Sequence, residues 1–264
     1  MRLLTEFIKI WAFAARGGIM NRRNFFAVFE MFFWPLVAVF SVGLLTQFLQ
    51  LDEATVSFVL IGALAMNTMQ IVQLDISYAL LYDVWSKSLK HGFIAPIRLG
   101  HIVLGSGLVG FVRGLLVFAI MGALSIWYFN MELWRPGLLP LLFFLVGLFL
   151  MAAIAGVLVI GLVLIFGHRA EITAWAITYL LMILCGLYYP VSLLPTGVRG
   201  LAELIPLTYF LEYFRSFYGF PASVAHPLEW GLLLGLVYLV VSYGLMLLSL
   251  KASLRQGTLV KLSE

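Results

Sequence analysis

Charge is what this sequence lacks most. Of 264 residues, 16 are Lys or Arg and 12 are Asp or Glu, only 11% in all, where soluble domains carry roughly 25%. Hydrophobic residues reach 63%, against about 45–50% as a rule. A soluble globule so short of polar residues could not coat its own apolar surface. The deficit excludes a soluble enzyme, a disordered chain and a nucleic-acid binder, and it points to an integral membrane protein. Cysteine is nearly absent. The single Cys185 excludes an intramolecular disulfide framework and a Cys-based zinc site. His91, His101, His168 and His226 have no metal-ligand spacing to one another or to a carboxylate cluster, so no metal site is expected. The sequence also lacks G-x-x-x-x-G-K-S/T, G-x-S-x-G and H-E-x-x-H, so no catalytic or cofactor-binding residues are assigned.

What is present is long apolar runs. A spanning helix needs about 20 apolar residues, because lipid offers no partner for free backbone groups. Six runs qualify, at about 25–50, 54–81, 100–131, 136–167, 172–194 and 229–250. They are continuous rather than alternating, which excludes a β-barrel. The expected fold is an all-α polytopic membrane protein forming a single domain over 1–264. Twelve of the sixteen basic residues fall on one side of this arrangement: Arg2, Lys9, Arg16, Arg22 and Arg23, Lys87, Lys90 and Arg98, Arg169, and Lys251, Arg255 and Lys261. The other side has Arg135, Arg199 and Arg215, and Arg113 lies within a run. The positive-inside rule then places both termini in the cytoplasm.

Residues 1–20 are too charged for a span and lack a cleavage site. Leu3, Leu4, Phe7, Ile8, Trp11, Ala14 and Ala15 recur at helical spacing opposite Arg2, Glu6, Lys9 and Arg16, the pattern of an interfacial amphipathic helix. Gly17-Gly18 is expected to break it. Such a helix serves as a topogenic anchor or as a lever beside a cytoplasmic partner.

Two connections are not plain loops. Residues 83–96 read as a short cytoplasmic helix with Asp83 as N-cap and Pro96 as its stop. Trp85, Leu89 and either Gly92 or Phe93 share one face, with Lys87 and Lys90 alongside. This helix either docks into a soluble partner or rests on lipid headgroups. Residues 188–227 hold five of the nine prolines, yet 201–217 is apolar and aromatic. A re-entrant helical hairpin over about 190–220 fits better than an aqueous loop.

Polar side chains within the runs include Glu30, Asn67, Gln70, Gln73, Asp75, Arg113, Thr173 and Thr178. Asn67, Gln70, Ser77 and Tyr78 share an arc of about 100°. Such a face either bonds neighbouring helices or lines a wet pathway. From their depth, Asp75 and Arg113 are expected to pair.

Three stretches carry a family resemblance. EMFFWPLVAVFSVGLLTQFL begins with Glu30, Trp34 and Pro35. DVWSKSLKHGFIAPIRLGHIVLG contains Ala95-Pro96. GLYYPVSLLPTGVRGLAELIPLTYFLEYFR contains Tyr189-Pro190, Leu194-Pro195 and Pro206-Leu207-Thr208-Tyr209. Together they resemble the permease subunits of ABC exporters of the ABC-2 type, along essentially the whole chain. Lys87 and Lys90 stand where some relatives carry an acidic residue.

The resemblance implies an exporter permease of the inner (cytoplasmic) membrane, of bacterial source. ATP and Mg would be bound by a separate ATPase subunit, with no cofactor in this chain and no nucleic-acid partner. A second permease chain, a homodimer being the simplest case, would complete the transporter. Asp83, Trp85, Lys87, Leu89, Lys90 and Phe93 would couple to the ATPase. Asn67, Gln70, Asp75, Thr178 and Tyr179 would line the translocation pathway. Tyr188, Tyr189, Pro190, Pro195, Pro206 and Tyr209 would form the extracellular gate. The cargo would be hydrophobic or amphipathic: a drug, a lipid, or a lipid-linked or free polysaccharide. The alternatives are a membrane-embedded lipid-modifying enzyme and an ion-coupled secondary transporter. Scattered histidines and an isolated Asp75 speak against the first, and the lack of a visible internal repeat against the second.

Overall fold

The computed structural model describes residues 2–89 and 96–257. Helix α1 (Arg2–Arg23) precedes α2 (Phe25–Phe48), α3 (Glu53–Trp85), α4 (Leu99–Phe129) and α5 (Leu138–Phe166). A 3-10 turn at Gly167–Ala170 leads into α6 (Glu171–Leu184). Two short helices, α7 (Thr196–Ala202) and α8 (Pro206–Ser216), precede α9 (Pro227–Gln256). No strand occurs among the described residues.

Among the described residues, five helical runs are long and apolar enough to cross a membrane: α2, α3, α4, the run Leu138–Leu184 and α9. The chain is a multi-pass membrane protein. Two of the expected spans share the run Leu138–Leu184, and side-chain neighbours show that the chain reverses at its 3-10 turn. In α5, Gly156 lies against Ile76 of α3. In α6, Trp175 bonds Tyr78 and Thr178 bonds Gln73, and beyond α6 Leu187 reaches Gly62. The chain therefore climbs back along α3. The helix itself stops at Leu184 instead of continuing to 194. Its 14 residues cover only about 21 Å, short of a bilayer core of about 30 Å. Gly186 then takes a positive φ of 66°, which glycine adopts without a side-chain penalty.

Helix α3 is the hub, packed on by α2, α4, α5 and α6. Its core residues include Leu60, Ile61, Leu64, Met69, Ile76 and Leu80, all essentially inaccessible. Small residues permit these close approaches, as expected where lipid provides no drive for helix association. A Cβ on Gly62 would lie 1.6 Å from the Leu187 carbonyl oxygen. A Cβ on Gly105 of α4 would lie 2.5 Å from Phe13 Cβ and 2.7 Å from the Ile10 carbonyl of α1.

Helix α1 packs along α4 and does not break at Gly17-Gly18; it continues to Arg23. Glycine inside a helix costs about 1 kcal/mol, and here Gly17 fits closely against Val109. Asn24 separates α1 from α2, its side chain accepting the Phe26 and Ala27 N–H groups at 3.1 and 3.3 Å. Leu3, Leu4, Phe7, Ile8 and Trp11 form the exposed apolar row anticipated for an interfacial helix. The end of the bundle holding α1 and the α3–α4 connection is termed basal below, and the opposite end distal. Arg22, Arg23, Lys87, Arg98, Arg169 and Arg255 are basal, whereas Arg135, Arg199 and Arg215 are distal.

Candidate functional site

The basal end is tied together by charge. Arg16 of α1 makes a two-pronged contact with the Asp83 carboxylate. Asp83 is buried in the last turn of α3 and also accepts Ser88 Oγ at 3.1 Å. It is therefore not the N-cap of a separate helix: α3 continues through Trp85 and ends where Lys87 turns to a φ of 55°. A carboxylate in a final helical turn opposes the macrodipole, and the Arg16 guanidinium compensates it. The same hydrogen bonds raise the pKa of Arg16.

Ten residues nearer its start, α1 makes a second tie. Glu6 Oε2 meets His101 Nε2 at 2.7 Å, and Glu6 Oε1 accepts Lys9 Nζ at 2.9 Å. The Lys9 hydrogen bond, then that of His101, lowers the Glu6 pKa from 4.5 to about 2. His101 Nδ1 in turn accepts the Arg98 N–H at 3.0 Å and caps α4. A third tie joins Asn21 to Asp75 at 3.5 Å, and Asp75 pairs with Arg113 as expected. Arg113 further bonds the Ala27 carbonyl of α2 at 3.3 Å. These ties join α1 to the basal parts of both helices that flank the α3–α4 connection.

Among the expected coupling residues, Trp85 is 43% exposed and packs edge-on against Tyr78 and Tyr82. Lys87 is exposed. Leu89 is only 2% exposed and belongs to the chain's own core, so it does not face outward. Lys90 and Phe93 lie outside the described residues, as does the rest of 90–95 in the expected 83–96 helix.

The expected pathway residues have different surroundings within the chain. Asn67 is buried and donates to the Ala63 carbonyl of its own helix at 2.7 Å. Thr178 is buried and donates to Gln73 Oε1 at 3.1 Å, while Gln73 Nε2 donates to Ser77 Oγ at 2.9 Å. Gln70 is partly buried, and Tyr179 is turned outward. Asp75 leaves α3 on the α1–α4 side, away from Thr178. Within one chain, Asn67 and Thr178 therefore act as helix bonds. Their buried polar atoms need partners, and close packing supplies them.

The distal hairpin is built by its prolines. Pro190 caps the 3-10 turn Val191–Leu193, Pro195 caps α7, and Pro206 opens α8 at its first position, where a missing N–H costs nothing. Thr208 Oγ1 donates to the Ala202 carbonyl at 2.8 Å, and Tyr209 OH donates to the Glu203 carbonyl at 2.7 Å. The P-L-T-Y element thus fastens α8 to the end of α7. Tyr188 OH points to Met66 Sδ of α3 at 3.7 Å, and Tyr189 OH bonds the Ile183 carbonyl. The fully buried Phe210 ring sits where Gly147 of α5 and Gly231 of α9 leave room.

Arg215 is the distal residue that sequence reasoning passed over, counting it only as a charge outside. It is 3% exposed. Its guanidinium donates to the Gly186 carbonyl at 2.7 Å, the Phe58 carbonyl at 2.9 Å and the Leu187 carbonyl, and lies 3.6 Å from the Phe58 ring centre. One side chain thereby joins α8, α3 and the irregular segment after α6. Its place in an apolar, proline-rich run was the available signal.

A stretch of 49 residues is 51% identical to an uncharacterized protein of Archaeoglobus fulgidus, covering 19% of this chain and 77% of that protein. The similarity reaches an archaeon, so this kind of sequence is not confined to bacteria. The profile of the ABC-2 type transporter family matches residues 9–218. That match runs from the amphipathic helix, across the basal ties and the α3 hub, to the end of the distal hairpin, and the chain belongs to the ABC-2 type transporter family.

Proposed function

We propose that this chain is the membrane half of an ATP-driven exporter that carries a hydrophobic or amphipathic cargo. Membership in the family makes it a permease of an ABC-type transporter and implies an associated ABC ATPase. The finer reading puts the basal end in the cytoplasm, as its basic residues favour. The ATPase docks there, below Trp85 and the 86–96 connection. Two copies of this chain enclose the pathway, the distal hairpin acts as its outer gate, and the assembly sits in the cytoplasmic membrane. ATP and Mg belong to the partner subunit.

The observation that carries this reading is the Arg16–Asp83 contact. Asp83 stands at the end of α3, six residues before Leu89, which is locked into the core. A push on this corner therefore meets a braced α3, not a slack loop. It is passed along a helix of 33 residues, about 50 Å long, whose distal end touches Arg215 and the hairpin. Few charges line the described helices, which favours apolar or amphipathic cargo. Tyr179, exposed on α6, and Trp34, exposed on α2, remain available to a pathway between two chains.

The test is purification from native membranes without chelators or harsh detergent. An ATPase subunit should co-purify, and Trp85→Asp should uncouple its hydrolysis from transport in vesicles. Normal coupling in a correctly inserted Trp85→Asp protein would count against the docking site. Lipid turnover by this chain alone would favour the enzyme alternative.

A further inference from the structure

Helices α2 and α6 both pack on α3 but not closely on each other. A strip of α3 therefore lies open between them, and at the basal end this strip is aromatic. Tyr78, Tyr82 and Trp85 follow one another at helical spacing and share one face of α3. Each of the three rings meets the other two edge-on, with ring centres 5.4 to 5.9 Å apart. From α6, Trp175 Nε1 donates to Tyr78 OH at 3.0 Å and adds a fourth ring. Tyr78, Tyr82 and Trp175 are only partly buried and Trp85 is exposed, so ring surface stays open. The faces of such rings carry negative potential and attract cations.

Two carboxylates flank this wall, one from each side. Glu30 of α2 and Glu171, the first residue of α6, both lie near enough for their charges to act on Tyr78, and that of Glu30 also acts on Tyr82. Neither carboxylate has a hydrogen bond or an ion pair among the described residues. Asp75 and Arg113 reach Tyr82 as well, but they are bonded to each other and cancel. Arg169, exposed two residues before Glu171, makes no ion pair with it. The wall thus keeps two unmet negative charges beside open aromatic rings.

A metal ion does not fit these charges. Hard cations take six or more oxygen ligands, and no group of three His, Cys, Asp or Glu side chains that could hold a metal occurs among the described residues. A quaternary ammonium or phosphonium ion does fit, because it has no N–H to satisfy and ring faces hold it. Trp34, one turn beyond Glu30, and Tyr179, one turn beyond Trp175, are exposed and offer apolar surface to its substituents. We propose that the basal strip between α2 and α6 binds a lipophilic monovalent cation, its charge against the Tyr78, Tyr82 and Trp85 rings and between Glu30 and Glu171. That this cation is the cargo rests on the export reading above; its binding does not.

The test is equilibrium dialysis of the full chain in a non-ionic detergent, with protein-free micelles as the blank. The probes are tetraphenylphosphonium and tetraphenylborate, alike in size and opposite in charge. The wild type should bind the phosphonium saturably and the borate not. Glu30→Gln and Glu171→Gln should each weaken phosphonium binding by roughly three- to tenfold, the range for charges partly screened by water. Tyr82→Leu should weaken it by roughly two- to fivefold. Glu53→Gln, which removes an exposed carboxylate at the other end of α3, should change nothing. No saturable binding, equal binding of the borate, or an unchanged affinity in either Glu30→Gln or Glu171→Gln would overturn the site. Should Tyr82→Leu fail to fold, the two glutamine variants decide, since neither carboxylate they replace is bonded within the described fold. Phosphonium binding without ATP-driven movement in vesicles would uphold the site and count against the export reading. Export of another cargo with no phosphonium binding would overturn the site alone.

Discussion

Arg16 and Asp83, 67 positions apart in sequence, meet at the basal corner of the bundle, where the amphipathic helix is bonded to the last turn of α3. The contact turns α1 from a passive anchor into a brace on the element that precedes the α3–α4 connection.

Separating this pair should loosen the corner without unfolding the bundle. Arg16→Gln and Asp83→Asn should each lower stability, and their double-mutant cycle should show a coupling of about 1 kcal/mol, since Arg16 is partly open to solvent. Denaturant titration in detergent measures it. Arg16→Gln should cost more in the wild-type background than in an Asp83→Asn background, because a buried carboxylate without its partner is the expensive state.

Thr178→Val should leave the Gln73 amide oxygen unpaired inside the protein. Hydrogen bonds between membrane helices average about 0.6 kcal/mol and reach about 1.7. The loss should lie toward the upper value, because both groups are fully buried. Replacing Gln73 by Leu as well should recover part of it, as removing both partners leaves no orphan. Thermal unfolding of the three variants checks the order.

Gly62→Ala should be among the most damaging single-methyl changes in the chain. The new Cβ would fall 1.6 Å from the Leu187 carbonyl oxygen, an acceptor for Arg215. Backbone cannot yield as a flexible side chain does, so the cost should exceed the roughly 1–3 kcal/mol of ordinary overpacking. Gly244→Ala, with open space around it, should be nearly silent. Yield of folded protein by size-exclusion chromatography separates the two.

Acid should release the start of α1. The Glu6 pKa is depressed from 4.5 to about 2 by Lys9 and His101. A depressed carboxylate stabilises the folded form fully above its unfolded value and loses that effect as pH falls through the folded value. The Glu6 tie should therefore hold from neutrality down to about pH 4.5 and fade toward pH 2. Trp11 fluorescence, in a variant whose other tryptophans are replaced by Phe, should shift in that window. Glu6→Gln should remove the acid-dependent part.

Much of this architecture is legible in the amino acids. Apolar runs place α2 to α5 and α9 to within a few residues, since helix and lipid impose one length scale. The depth of Asp75 and Arg113 was enough to pair them. The end of α6 was not legible, because hydrophobicity continues past Leu184 and only the positive φ of Gly186 stops the helix. Asp83 looked like a cap because a carboxylate before an apolar ridge is the common cap pattern. Its actual partner, Arg16, is a tertiary contact that no local pattern encodes. Arg215 was hidden for the same reason: a buried guanidinium held by backbone carbonyls has no sequence signature beyond an odd charge among aromatics.

The most direct measurement is ATP-dependent transport by the native complex in sealed vesicles, compared between wild type and Trp85→Asp, with hydrolysis recorded in parallel. The account predicts movement of an amphipathic cargo in the wild type only with ATP, and in Trp85→Asp continued hydrolysis without movement. Equal transport by both proteins, or transport driven by an ion gradient without any ATPase, would contradict it.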